Sequence, residues 1–396
     1  MADMAAQVES AKMKKHLMLI LLLGFALACT NRTERIERTR DGNGVEIVRN
    51  RLPLAGNKES APPFDLFEEG SIDTRDASIA AAGLTDIGLF DVDSEGNIYF
   101  AVPRGGDKAV LKFDGQGRFR IAFGRKGNGP GEVQDIGHLA LTPGNEVAVT
   151  DLGNSRLILY GPEGDFRREL RLPTSFRGVR PLGDGRMLLL DQIYTPNPDV
   201  FYEDRVTLAG PDLKAIKVLA ASSVENPMSA ERFKGSYHIQ SWSVSKDLIF
   251  TGNQEGGYEI DVFDFKGRLV RRILKDFDPV SVPESFKAEY LKMFENPPNS
   301  AIRSKVYFPD AMPPFVSFVT DEKGRIYVLT YESGLRAEEG IIDVFAPDGA
   351  FLGKRPIGVF HDFTGMKARV GNGRFYALWE NEDGYKELRI YRMTWK

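Results

Sequence analysis

Three features of the sequence predict an all-β fold, a six-bladed propeller of four-stranded blades. An apolar strand, a Gly/Asp/Asn turn and a second strand recur six times along the chain. Each recurrence occupies roughly 35–50 residues, the length of one propeller blade. Forty glycines and 26 phenylalanines, with few long helical periodicities, mark a turn-rich β protein.

The N-terminus comes before the repeats. "MKKHLMLILLLGFALAC" (13–29) starts with Lys14 and Lys15 and continues through a twelve-residue apolar run, Leu17–Ala28. A membrane-spanning helix needs about 20 apolar residues, so this run has the proportions of a secretory signal instead. Residues 1–28 are read as that signal, with the true start at Met13. Cys29 is the chain's single cysteine, so no intramolecular disulfide forms. "ALAC" resembles the bacterial lipoprotein signal, and the resemblance implies lipidation of Cys29 after cleavage. Residues 29–43 read as a flexible tether and 44–396 as the propeller.

The repeats are clearest at 89–124, 138–172 and 316–354, with weaker copies at 178–192, 243–274 and 366–393. Their first hairpin turns fall near Gly96, Asn145, Gly185, Asp247, Gly324 and Asn372. Between the fourth and fifth turns, "PESFKAEYLKMFEN" (283–296) reads as a short helical insert opened by Pro283. The last unit has three strands before Lys396, and an open sheet edge invites aggregation. An N-terminal strand is therefore expected to complete the last blade. "GVEIVRN" (44–50), with its alternating pattern, is the expected segment.

These residues carry a family resemblance. "GNIYFAV", "AVLKFDGQGRF", "FGRKGNGPGEV" and "GHLALTPGNEVAVTD" resemble the NHL-type repeats of six-bladed β-propellers. They are especially similar to bacterial lipoprotein-type propellers in which a G-x-G-P-G-E stretch joins the first two blades. The resemblance spans 44–396 and is specific for fold. Its functional implication is broad, because such propellers host binding, scaffolding and several enzymatic activities.

Two segments invite a ligand and do not support one. "FGRKGNGPGEV" (123–133) is rich in glycine, but no Lys-Ser/Thr pair follows and no helix begins. Glu132 would also repel pyrophosphate. The stretch is read as a corner between blades. "DVDSEG" (91–96) starts like a calcium loop, yet its twelfth position is Val102, which cannot ligate. It is read as a hairpin turn.

Composition narrows the function classes. The net charge of −4 gives no reason to expect a nucleic-acid partner. No Ser stands in a G-x-S-x-G elbow, and lipidated Cys29 leaves no cysteine nucleophile. Beyond His16 the only histidines are His138, His238 and His361, near the starts of three alternate inner strands. The amidating-lyase branch of this propeller class is similar in placing metal-binding histidines around its channel. Here the three precede their turns by six, eight and ten residues, a spread of about 13 Å along the axis. Zinc requires nitrogen ligands at about 2.1 Å, so no metal, cofactor or catalytic residue is assigned.

Function concentrates on loops presented by a rigid scaffold. The longest loop on the face that carries the blade connections is 191–205. Tyr194, Phe201, Tyr202 and Arg205 in it have the amphipathic chemistry of contact residues and are the candidate binding residues. The reading is a lipid-anchored, extracytoplasmic propeller of the bacterial cell envelope that binds or scaffolds a protein or small ligand. The alternative is a propeller enzyme, lyase or lactone hydrolase, with a metal in the channel.

Overall fold

The computed structural model describes residues 36–51, 62–102, 107–172, 176–235, 240–254, 256–296, 299–333, 339–359, 361–362 and 365–396. Six sheets, each built on four antiparallel strands, ring a central axis. Blade one runs Leu89–Val92, Ile98–Ala101, Lys108–Phe113, Phe119–Arg125. Blades two and three repeat this order over 136–171 and 176–225, blades four and five over 242–275 and 317–357. Blade six takes Ala368–Gly371, Arg374–Glu380 and Lys386–Trp395 from the end of the chain and Phe64–Asp73 from near its beginning.

Local chemistry sets the hairpins. Each turn holds a residue in the left-handed region: Gly96, Asn145, Gly185, Lys246, Gly324 and Asn372. In blade one the Asp93 carboxylate accepts the N–H groups of Glu95 and Asn97 at 2.9 and 2.8 Å, an Asx turn. Asp321 does the same in blade five, toward Lys323 and Arg325. Six residues on, Tyr99 and Tyr327 donate their hydroxyls back to these carboxylates at 3.2 and 3.0 Å. The "calcium-like" segment is thus a turn whose acid is saturated by its own hairpin.

The core is divided among the blade interfaces. Six clusters of buried side chains each join one neighbouring pair of blades, including blade six to blade one. Ile98–Ala101 is buried at every position because both faces of its sheet meet a neighbour. The outer strand Phe166–Arg171 is mostly exposed.

Closure comes from an N-terminal strand, as expected, but not from the expected one. Glu46–Asn50 lies parallel to the outer strand of blade four, Leu269–Lys275. Ile36–Arg40, inside the segment read as a tether, pairs with it and extends that sheet to six strands. The closing strand is Phe64–Asp73, antiparallel to Lys386–Trp395 and bulged between Glu68 and Gly70. Its centre is exposed and acidic, so it shows no alternation; buried Phe64 and Ile72 anchor its ends. Glu69 meets Arg374 at 2.8 Å and Arg392 at 3.3 Å.

The insert contains the helix Glu284–Lys292, opened by Pro283 as expected. Its Phe286 and Tyr290 join an aromatic cluster with Phe233, Phe294 and Phe308. Phe233–Lys234 and Val306–Tyr307 pair in parallel beside it.

The glycine-rich stretch is a corner held by its own carboxylate. Glu132 accepts the Gly129 N–H at 2.8 Å and pairs with Arg125 at 2.6 Å. A Cβ on Gly127, φ 157°, would stand 2.0 Å from the Glu132 Oε2. Arg156 donates to the carbonyls of Gly129 and Glu132 at 3.1 and 2.7 Å. The Gly129 amide that a phosphate would need is already occupied from inside.

Candidate functional site

The six inner strands enclose an axial channel of about 920 Å³. At one level of it, Asp91 from blade one, Arg180 from blade three and Arg369 from blade six converge. Arg369 Nε donates to Asp91 Oδ1 at 2.9 Å, while the nearest Arg180 nitrogen stands 3.5 Å from Oδ2. The Leu141 N–H of blade two also donates to Asp91, at 3.0 Å. Burial alone would raise the Asp91 pKa. The two guanidinium charges and the N–H groups of Leu141 and Val92 overcome it and hold the carboxyl below its ordinary range.

His138 faces this cluster from blade two, its ring 6.0 Å from that of Trp242 on blade four. The approach is close because position 178 is glycine: a Cβ there would stand 2.7 Å from the His138 Cγ. Burial, and then the charges of Arg180 and Arg369, hold the imidazole down at about 4 against the opposing pull of Asp91. His138 is therefore neutral at pH 7, and its Nδ1 is buried without a hydrogen-bond partner. Ser243 and Thr320 complete the wall, bonded to one another at 2.8 Å.

Blade three forms part of the mouth. Its second and third strands, Met187–Ile193 and Val200–Ala209, extend to the residues expected in a loop. Only Tyr194 of the four candidate residues is in the loop; Phe201, Tyr202 and Arg205 are on the strand. The long hairpin with Ala215–Glu225 supplies backbone partners that the loop reading lacked. The structure does bring the three aromatics together, with ring centroids 5.4–6.2 Å apart. Tyr194 is 66% and Phe201 46% exposed. Arg177 lies over Tyr202 at 5.8 Å and donates to Gln192 at 2.8 Å. Arg205 lines the channel, paired with Glu203.

Asp91, Arg180 and Arg369 were missed by the sequence reading. Each occupies an inner strand one or two positions before that strand's end, and this shared placement is the signal that marks them. Of the three histidines, His138 faces the channel, and His238 lies outside the described residues. His361 is on the short strand His361–Asp362, its side chain outside the description. Cys29 lies outside the described residues as well. Among those described, no three His, Cys, Asp or Glu side chains are grouped as metal ligands would be.

A protein family described as a 6-bladed beta-propeller (DUF5128) matches residues 93–191. None of the curated proteins is significantly similar in sequence. Among solved structures, a candidate exported protein of Bacteroides fragilis is similar over 88% of this chain and 99% of its own, at 14% identity and a TM-score of 0.52. A DUF4221-family protein of Bacteroides vulgatus aligns over 84% of this chain and 99% of its own, at 12% identity and a TM-score of 0.49. A gluconolactonase of Xanthomonas campestris aligns over 87% and 99%, at 12% identity and 0.42. The family match, from the first blade into the third, and the six sheets of the ring agree: the chain is a six-bladed β-propeller.

Proposed function

We propose that this propeller is a lipid-anchored, extracytoplasmic binding module of the bacterial envelope, which takes a small ligand or a protein segment at the mouth of its channel. The observation that carries the reading is the Tyr194–Phe201–Tyr202 cluster, with Tyr194 and Phe201 exposed, next to Arg177 on the extended blade-three hairpin. Rigid amphipathic aromatics beside an arginine are the residues that most often dominate binding energy. Phe201 and Tyr202 stand on a paired strand, so little of their ordering entropy is lost on capture.

The anchor rests on the sequence of residues 13–29. No described helix is long and apolar enough to cross a membrane. Changing Cys29 to Ser should move the protein from the membrane fraction to the soluble one; unchanged partition refutes the anchor. For binding, the protein is incubated with an envelope extract and the retained species are weighed by native mass spectrometry. A species retained by wild type and lost in Tyr194→Ala/Tyr202→Ala, with the melting temperature unchanged, supports the reading. Equal retention by both proteins refutes it.

A further inference from the structure

The charges around Asp91 do not balance. Arg180 and Arg369 are the cations that act on Asp91, His138 faces all three, and Trp242 lies beside His138; Ser243 and Thr320 also line the channel. Arg369 makes a 2.9 Å charge-assisted hydrogen bond with Asp91 and also donates to its neighbour Ala368 carbonyl at 2.8 Å. Among the described residues, the nearest acid to Arg180 is the same carboxylate, at 3.5 Å, which is too long for a hydrogen bond. The Arg180 side chain is 24% exposed, and the surface it exposes belongs to the channel. One acid thus faces two cations, and neutral His138 adds nothing to either side. Burial and the repulsion of Arg369 both disfavour the Arg180 charge, with Asp91 opposing.

An arginine that cannot lose its proton, in a channel whose acid is already bonded elsewhere, is a receptor for an anion. Guanidinium groups bind carboxylates through two parallel N–H bonds. We propose that the channel holds the carboxylate of a monoanionic ligand on Arg180, opposite the Arg369–Asp91 pair. The surplus is one positive charge, so a single carboxylate neutralises it. A phosphate dianion would leave an excess negative charge beside Asp91. Leu152, which is exposed, and half-buried Leu190 and Trp242 also line the channel, so an apolar or aromatic body attached to the carboxylate has surface to cover. This inference rests on the binding-module reading and names its ligand class.

The test uses benzoate as the probe, followed by isothermal titration calorimetry in a buffer low in chloride. Benzamide is the neutral isostere and inorganic phosphate the competing anion. Saturable benzoate binding is expected, with benzamide at least tenfold weaker and phosphate not competing. Arg180→Gln removes little from the fold and should weaken benzoate at least tenfold. Asp91→Asn removes the opposing charge and should tighten benzoate several-fold, the opposite direction, which a merely structural role would not produce. The inference is overturned by any of three results. Benzoate fails to saturate up to about 50 mM, far weaker than an ordinary millimolar site; benzamide or phosphate binds as well; or both variants leave benzoate affinity unchanged. Tyr194→Ala/Tyr202→Ala separates this result from the wider reading. Benzoate binding that survives in that variant, while extract retention is the same as in wild type, retains the carboxylate site and removes the aromatic mouth.

Discussion

Single residues in this ring are decided by what their neighbours leave unsatisfied. Lys275 and Asp343, 4% and 0% exposed, pair at 3.2 Å across the interface of blades four and five. Tyr258 donates its hydroxyl to the same carboxylate at 2.8 Å. Burial raises the Asp343 pKa while Lys275 and Tyr258 pull it back. Lys275→Met would leave that carboxylate buried without its cation and should lower stability by about 3–5 kcal/mol, the usual cost of breaking a buried pair. Lys275→Met/Asp343→Leu should recover most of it in urea unfolding, and a double variant as weak as the single would count against this account.

His138 gives a pH-dependent test. Its folded pKa of about 4 lies below its ordinary value, so between pH 4 and 6.5 the unfolded chain binds more protons. Its contribution to stability is therefore full above pH 6.5 and is lost as the pH falls toward 4. The ring borders an open channel, so water discounts the shift to about 1–2 kcal/mol. The stability difference between wild type and His138→Gln should shift by that amount across the window, in favour of the variant at low pH. A difference independent of pH would show that the imidazole is not held neutral.

Among elements, the two N-terminal strand segments have different tasks. Glu46–Asn50 and its partner Ile36–Arg40 extend blade four and reach toward blade five. Arg38 meets Asp348 at 2.7 Å, and buried Asn50 donates to the Gly349 carbonyl and accepts the Phe351 N–H. Phe64–Asp73 completes blade six, and Ile72 enters the cluster that joins it to blade one. A chain starting at residue 52 should therefore fold as a closed ring with a lower midpoint. A chain starting at residue 74 should lose the cooperative transition, because blade six then ends in an open edge. Circular dichroism on both chains tests this, and equal loss in the two would be inconsistent with separate tasks. In the corner, Gly127→Ala puts a Cβ against the Glu132 carboxylate and should cost about 1–3 kcal/mol by overpacking.

For the whole molecule, the core is six interfaces rather than one centre, and each blade is buried by two others. Leu388 is fully buried in the cluster between blades six and one. Leu388→Ala should cost about 2–5 kcal/mol, and far- and near-UV signals should still coincide in one transition. A separate transition for part of the ring would show that closure does not couple the blades.

Sequence alone determined the blade count, the turns and the helical insert. These depend on interactions within a few residues: an aspartate accepting N–H groups two and four positions on, a glycine or asparagine at positive φ, a proline opening a helix. It also predicted that a strand from the N-terminal side must close the ring, since an open edge is costly whatever the sequence. Which strand does so was decided by tertiary structure. Glu46–Asn50 and Phe64–Asp73 can both form strands. The choice rests on Phe64 and Ile72 finding pockets at blade interfaces and on Glu69 meeting Arg374 and Arg392, contacts more than 300 residues apart. The same holds for the channel. Asp91, Arg180 and Arg369 look like ordinary strand residues in sequence, and only the ring's rotation about its axis brings them to one level. Local hydrogen bonding is written in neighbouring residues, whereas a charge imbalance belongs to whatever the fold places across a cavity.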